Sequence, residues 1–385
     1  MIERIIFLLE GYFSQRDYQR FGIETLRENG FDVEIWDMTP TLYANYSRVY
    51  SMPDCRGLSI FNDRQQAYER LSNLTSSDFV VNFVSYYFWN LWVYSALSKS
   101  SASYAVFCAN AIPVAREIYL QKKREVLKNL FSMKSTTLLK HIYMKIPFRF
   151  LGIKPVSFIF AGGSKCMQYH YPISKDTEVL WIHTLDYDIY LKEKSRPCPG
   201  RDIAVFIDEF LPLHHEYAMF KLDPPIEVGK YFTYLDRFFE SVERKTGYEV
   251  VIAECPEANY EDTPDYFRGR KRFKGQTAGL VHESKLVLGH YSTALNFANL
   301  FQKPVISMSC SDFRKKPIEY HIQEIAKWFG KSPIFIDETQ DIDWEFELNI
   351  SKEHYDNYRN AYIKTENSQD LPFWQIVANR LKKGF

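Results

Sequence analysis

The sequence predicts an α/β protein with two doubly wound parallel sheets, on three observations. Short apolar runs suited to strands buried on both faces alternate with helical stretches along the chain. A stretch at 192–200 with two Pro, one Gly and four charges has the composition of a linker, and the alternation restarts after it. The length, 385 residues, suits two domains at roughly 100–200 residues each.

In chain order, 5–9 is a buried first strand that closes on Glu10-Gly11. A polar loop with Arg16, Asp17 and Arg20 leads into a helix ending near Asn29, with Gly30 as a suitable C-cap. Strands follow at 32–36, 79–84 and 104–108, with helices at 63–73 and 90–99 and an irregular 40–60. Residues 116–154 break the rhythm. They read as helical, and nine Lys or Arg stand against one acid, Glu125, between Ile118 and Lys154. A basic amphipathic segment suits an anionic membrane surface; the plainer reading is a solvated helical face. Strands at 156–160, ended by Ala161-Gly162-Gly163, and at 178–182 lead to the linker. Beyond it come strands at 203–207, 249–253, 286–288, 305–306 and 333–336, with helices at 230–246, on both sides of 286–288, near 316–329, and near 351–363 and 372–383. Two such domains facing one another are expected to enclose a cleft.

Bulk properties narrow the function classes. Basic and acidic residues balance at 48 each, which makes no case for a nucleic-acid partner. Six scattered cysteines without a C-x-x-C pair argue against a zinc or disulfide framework and suit a reducing cytosol. The opening run, closed by Glu10, is too short for a signal peptide, and Asn82, Ser85 and Asn90 interrupt the most apolar stretch, 79–97. A cytoplasmic protein is expected, with peripheral contact at the inner face of the membrane through 118–154.

In open α/β sheets, ligands bind beyond the carboxyl ends of the strands. Glu10, Gly162-Gly163, Asp208-Glu209, Glu254-Cys255-Pro256 and His290-Tyr291-Ser292-Thr293 stand there. Ser292 and Thr293 are placed to begin a helix, where hydroxyls and free N–H groups hold a phosphate or simply cap. Gly162 and Gly163 let a ligand approach the backbone or make a tight turn. Cys255 has no activating neighbour in sequence and reads as a small buried residue. The histidines elsewhere show no metal spacing, and Asp186-Tyr-Asp188 reads as structural despite its D-x-D pattern.

The run from Phe273-Lys-Gly-Gln-Thr277 through Leu286-Val-Leu-Gly-His-Tyr-Ser-Thr-Ala-Leu295 to Lys303-Pro-Val305 resembles the C-terminal domain of bacterial GT-B glycosyltransferases of surface polysaccharides (capsule or O-antigen), over about 200–310. Sialyltransferase-like and capsule-type members carry a His-Pro pair where this chain has Cys255-Pro256, and an acidic pair followed by Gly where it has Asp208-Glu209-Phe210. The resemblance implies two Rossmann-like domains, 1–196 on the acceptor side and 197–368 on the nucleotide-sugar side. A helix in 369–385 is expected to cross back to the first. It implies no metal and no other cofactor, because helix ends and basic side chains meet the phosphate charge. The resemblance also implies a CMP-, UDP- or GDP-linked donor and a surface or lipid-linked glycan as acceptor. Asp208 is favoured as general base over Glu10. Ser292, Thr293, His290, Tyr291, Lys274, Thr277, Glu254 and Cys255 are expected around the donor phosphate, with Glu283 on the ribose. Gly162, Gly163 and Arg16 are placed on the acceptor side. Two other readings fit the same fold. One is a nucleotide-sugar epimerase or polyol-phosphate transferase; the other is a non-catalytic partner in polysaccharide assembly.

Overall fold

The strand residues from Ile203 to Ile207 are all apolar and all buried, so both faces of that strand must be covered. Successive side chains point to opposite faces, and here they do: Ala204 and Phe206 enter one core, Ile203, Val205 and Ile207 another. The neighbouring strands divide the same way, with Val250, Ile252, Leu286 and Leu288 on the first side and Val251, Ala253 and Val287 on the second.

The computed structural model describes residues 1–43, 53–115, 143, 145–167, 170–214, 217, 222–261, 263–338 and 341–384. Most of the basic stretch expected to meet a membrane lies outside them. Among the described residues, no helix is long and apolar enough to cross a membrane. The chain forms two compact units: Met1–Asn110, Glu125–Leu185 and Thr365–Phe385 make one, Ala111–Arg124 and Asp186–Lys364 the other.

The first unit is built on a parallel sheet of seven strands in the order β3-β2-β1-β4-β5-β6-β7. These are β1 Arg4–Leu9, β2 Asp32–Asp37, β3 Leu58–Ile60, β4 Asp78–Asn82, β5 Ser103–Phe107, β6 Phe158–Ala161 and β7 Glu178–Trp181. The second holds a six-stranded parallel sheet, β10-β9-β8-β11-β12-β13. Its strands are β8 Ile203–Ile207, β9 Glu249–Glu254, β10 Arg272–Lys274, β11 Leu286–Gly289, β12 Val305–Ser309 and β13 Ile334–Phe335. β3 and β10 were not expected. Each has three residues on a sheet, none of them fully buried, so neither leaves an apolar run in the sequence.

In each sheet the chain winds outward from its first strand, then returns to that strand's other side. The order therefore reverses between β1 and β4 and between β8 and β11. Such switch points open a crevice at the carboxyl ends.

The helix Val228–Thr246 buries Tyr231, Phe232, Leu235, Phe238, Phe239 and Val242, a stripe at helical spacing. Glu227 caps it by accepting from Gly229 N and Lys230 N at 2.8 Å each, and Gly247 ends it at φ 74°. In the first unit the helix Phe373–Lys382 packs Phe373, Trp374 and Val377 into the core around Phe7. Trp374 Nε1 donates to Arg20 O at 2.7 Å. Beside it Gly22 has φ +53°, and a Cβ there would stand 2.4 Å from the Trp374 ring. Gly22→Ala should therefore lower stability by about 2–4 kcal/mol, from overpacking and a left-handed backbone together. A urea midpoint unchanged from the parent would show that Trp374 gives way freely.

Candidate functional site

The crevice between β8 and β11 is spanned by a carboxylate. Glu209, just past the end of β8, takes two backbone N–H donors on one oxygen: His290 N at 3.1 Å and Tyr291 N at 2.6 Å from Oε1. The second oxygen, Oε2, accepts no hydrogen bond among the described residues. The next two amides in the loop, Ser292 N and Thr293 N, donate to no acceptor among the described residues. Four successive N–H groups thus line the loop after β11. The first two already hold an oxyanion supplied by the chain itself, and the next two are open.

Asp208 precedes Glu209 and is 4% exposed. Its Oδ1 accepts from Phe210 N at 2.9 Å, its Oδ2 from Cys255 N at 3.3 Å and from the Tyr260 hydroxyl at 3.0 Å. Burial pushes its carboxyl up to about 6, against those three donors. Burial likewise raises Glu209 to about 7, and the adjacent Asp208 charge adds to it. The two titrate as a pair near neutrality. Phe210, where the resembling enzymes carry Gly, has φ +55°, the left-handed region a glycine occupies freely.

Several expectations for this edge are corrected. His290 carries no charge to a phosphate. Its ring is fully buried, with Nδ1 2.7 Å from Met308 O and Nε2 2.9 Å from the Tyr231 hydroxyl. A carbonyl only accepts, so Nδ1 holds the proton and Nε2 accepts from Tyr231. Burial depresses the imidazole to about 4, so it is neutral. Ser292 and Thr293 do not cap a helix. The helix is Leu295–Leu300, its cap position is Ala294, and Ser292 Oγ accepts from Ala294 N at 3.2 Å within the preceding turn. Thr293 has no side-chain bond among the described residues. Glu283 lies at the other end of the sheet. Arg201 N, just ahead of β8, donates to Glu283 O at 2.8 Å, and the Glu283 carboxylate meets the Arg201 guanidinium at 3.3 Å. The structure does not bring Glu283 together with Ser292.

The remaining donor-side residues follow the strand order. Glu254 ends β9 and pairs with Arg272 at 3.3 Å. Lys274 ends β10, with Nζ donating to Ala258 O at 2.7 Å, and Thr277 opens the helix Thr277–Glu283. The Cys255 thiol is pushed up to about 11 by burial, which rules out a resting thiolate. One neighbour was missed: His321, on the helix Pro317–Trp328, stacks on Tyr291 with ring centroids 4.4 Å apart. Thirty positions separate the two in sequence, and His321 returns beside Tyr291 only on the helix of the β12-to-β13 crossover.

In the first unit Glu10 occupies the matching switch point. Its Oε1 accepts from the Tyr43 hydroxyl at 2.5 Å and Asn90 Nδ2 at 2.9 Å, its Oε2 from Ser85 N at 2.7 Å and Ser85 Oγ at 2.6 Å. A carboxylate offers about four acceptor positions, and all four are taken. Glu10 therefore ties the ends of β1 and β4 rather than standing ready as a base. Arg16 is exposed on the helix Gln15–Arg20, and Gly162 and Gly163 are buried directly after β6.

No family model matches the sequence, and no curated protein matches it significantly. Solved structures do match in shape. The wall teichoic acid polymerase TagF superposes at TM-score 0.54 and 11% identity, over 99% of this chain and 89% of that one. The spinosyn forosaminyltransferase SpnP superposes at TM-score 0.51 and 11% identity, over 99% and 98%. With two switch-point sheets already in hand, agreement over nearly the whole chain decides the fold. It is GT-B. At such identity the likeness speaks for the GT-B fold alone, and chemistry has to come from this chain's own residues.

Within this GT-B fold the acid pair makes a pH signature. Both carboxyls are raised above their unfolded values of 3.8 and 4.5. Their contribution to stability is therefore full below about pH 4 and is lost as pH rises through about 6 to 7. Glu209→Gln keeps an oxygen for both amides but no charge. It should gain stability over the parent as pH climbs from 4.5 to 7.5, by on the order of 2 kcal/mol at one to two pK units of relief. Parallel denaturation curves for parent and variant at every pH would mean that Glu209 ionises normally.

Proposed function

We propose that this chain is a glycosyltransferase that moves a sugar from a nucleotide-sugar donor to a hydroxyl of a surface-polysaccharide or lipid-linked glycan, without a resident metal. The carrying observation is the loop of His290, Tyr291, Ser292 and Thr293. Its first two amides hold a carboxylate, while the next two amides and the Thr293 hydroxyl make no hydrogen bond among the described residues, and Ser292 Oγ, which accepts from Ala294 N, keeps its own proton to donate. Successive amides of this kind suit a phosphate. His321, stacked on Tyr291, stands beside this loop, where Cys255 and neutral His290 supply no positive charge. A CMP-linked acidic sugar is one donor class; UDP- and GDP-linked sugars are the others.

The acceptor oxygen bonds to the anomeric carbon while the bond from that carbon to the donor phosphate breaks. The departing charge is met by the open amides and hydroxyls. The acceptor's proton passes to the Asp208–Glu209 pair, whose ionisation near neutrality suits a general base. Glu10 falls out of this role because its acceptor positions are filled. The basic 118–154 stretch would hold the enzyme at an anionic membrane, close to a lipid-linked acceptor.

Calorimetric titration with CMP, UDP and GDP tests the donor site. One of them should bind, and Ser292→Ala with Thr293→Ala should weaken it about tenfold, the worth of two hydrogen bonds at roughly 0.7 kcal/mol each. Glu209→Gln should keep that affinity at pH 6 while sugar transfer falls about 10²-fold or more. Failure of all three nucleotides to bind would sink the proposal, and conversion of the donor sugar without any acceptor would favour an epimerase.

A further inference from the structure

Glu283, which the structure takes away from the donor loop, lines a cavity of its own. The cavity measures about 340 Å³, at the small end of the roughly 300–1,000 Å³ of ligand pockets. It lies along the helix Thr277–Glu283, beside the stretch that runs from the end of the helix Leu185–Glu193 to Arg201. Its whole wall belongs to the second unit, and none of it comes from the loop of Ser292 and Thr293.

Two ion pairs are set in this wall. Arg196 Nη1 meets Glu193 Oε1 at 2.9 Å, and Arg201 Nη1 meets Glu283 Oε2 at 3.3 Å. The pairs leave polar groups over. Nε and Nη2 of both arginines, and Oε1 of Glu283, make no hydrogen bond among the described residues. The Gln276 amide makes none either. Two positive and two negative side chains cancel, so a bare anion gains little here. The open groups have a shape in common instead. Each guanidinium offers two N–H groups along one edge, and the amide offers a carbonyl oxygen beside an NH2. Such a flat pair of atoms matches two neighbouring hydroxyls, one atom to each. Phe273, half-buried on the adjacent core, adds an aromatic surface. Planar polar groups beside a ring suit a saccharide, which carries adjacent hydroxyls around an apolar C–H face.

We propose that this cavity binds one or two sugar units of a neutral glycan, apart from the donor loop. The open guanidinium edges donate to hydroxyl oxygens, Glu283 Oε1 accepts from a hydroxyl, and Gln276 does both. The C–H face of the sugar meets Phe273. That the sugar belongs to the enzyme's own acceptor or product rests on the glycosyltransferase reading; the binding itself does not.

Saturation-transfer NMR on the full chain tests the proposal. The probes are glucose, galactose, mannose, N-acetylglucosamine and their disaccharides, with glucuronate and inorganic phosphate beside them. At least one neutral sugar should bind. Arg201→Gln with Gln276→Ala should weaken it about tenfold through the lost donors. Gly279→Leu should block it by filling the cavity. A Cβ at Gly279 meets only Glu193 Oε2, at 3.6 Å, an ordinary contact, so the helix has room for the larger residue. Ser292→Ala with Thr293→Ala should bind sugar as the parent does. Failure of every neutral sugar to bind overturns the proposal, as does binding of glucuronate or phosphate alone. So does sugar binding that both cavity variants leave unchanged, or that the Ser292 and Thr293 changes abolish. Titration of CMP, UDP and GDP into the same samples keeps the two readings apart. Sugar binding lost with nucleotide affinity intact concerns this cavity alone, and nucleotide affinity absent throughout concerns the donor loop alone.

Discussion

One carboxylate placed across each strand-order reversal conditions much of this molecule. Where the order reverses, neighbouring strands send their chains in opposite directions, and the backbone donors at their ends lose sheet partners. Glu10 meets this need between β1 and β4 and Glu209 between β8 and β11. The two solutions differ in saturation. Glu10 is filled by four donors, and the turn it holds is fixed. Glu209 takes two donors on one oxygen and ionises near neutrality. The first is a fastening. The second keeps capacity for a proton and a ligand.

The edge around Glu209 is held by apolar packing more than by charge. Tyr231 comes from the long helix Val228–Thr246 and donates to His290, which donates in turn to Met308 O on β12. Each polar atom in that chain is satisfied, so it holds the loop after β11 in place without a buried charge. On the other side Tyr260 packs edge-on against Phe210 at 5.2 Å and gives its hydroxyl to Asp208. The arrangement resembles a wall of aromatic rings with one acidic pair set into it.

The architecture was largely legible because parallel strands buried on both faces leave apolar runs of three to five residues in the sequence. The edge strands β3 and β10 were not, being short and partly exposed. The acid pair could be found by its place at a strand end, but which carboxylate keeps an open oxygen depends on the register of β8 against β11. His290 was expected at the donor phosphate because nothing local reveals that its ring turns into the core between Tyr231 and Met308. His321 was invisible for the opposite reason: its partner Tyr291 is distant in sequence and near only after the crossover. Glu283 was misplaced because a short helix carries the chain from the carboxyl end of the sheet back to the amino end before β11.

Phe210 sets a condition on how the acid pair behaves. Its left-handed backbone costs about 1–2 kcal/mol that a glycine would avoid. Contact with Tyr260, in the same apolar cluster, offsets that cost. The direction in which Asp208 and Glu209 point is thus held by ring packing together with hydrogen bonds to backbone amides and Tyr260, not by exposed ion pairs that salt would screen. Electrolyte shortens the reach of exposed charges to about 10 Å at 0.1 M, but it has little hold on this geometry. The orientation of the pair should therefore be much the same in dilute buffer and in brine, even where its ionisation is not.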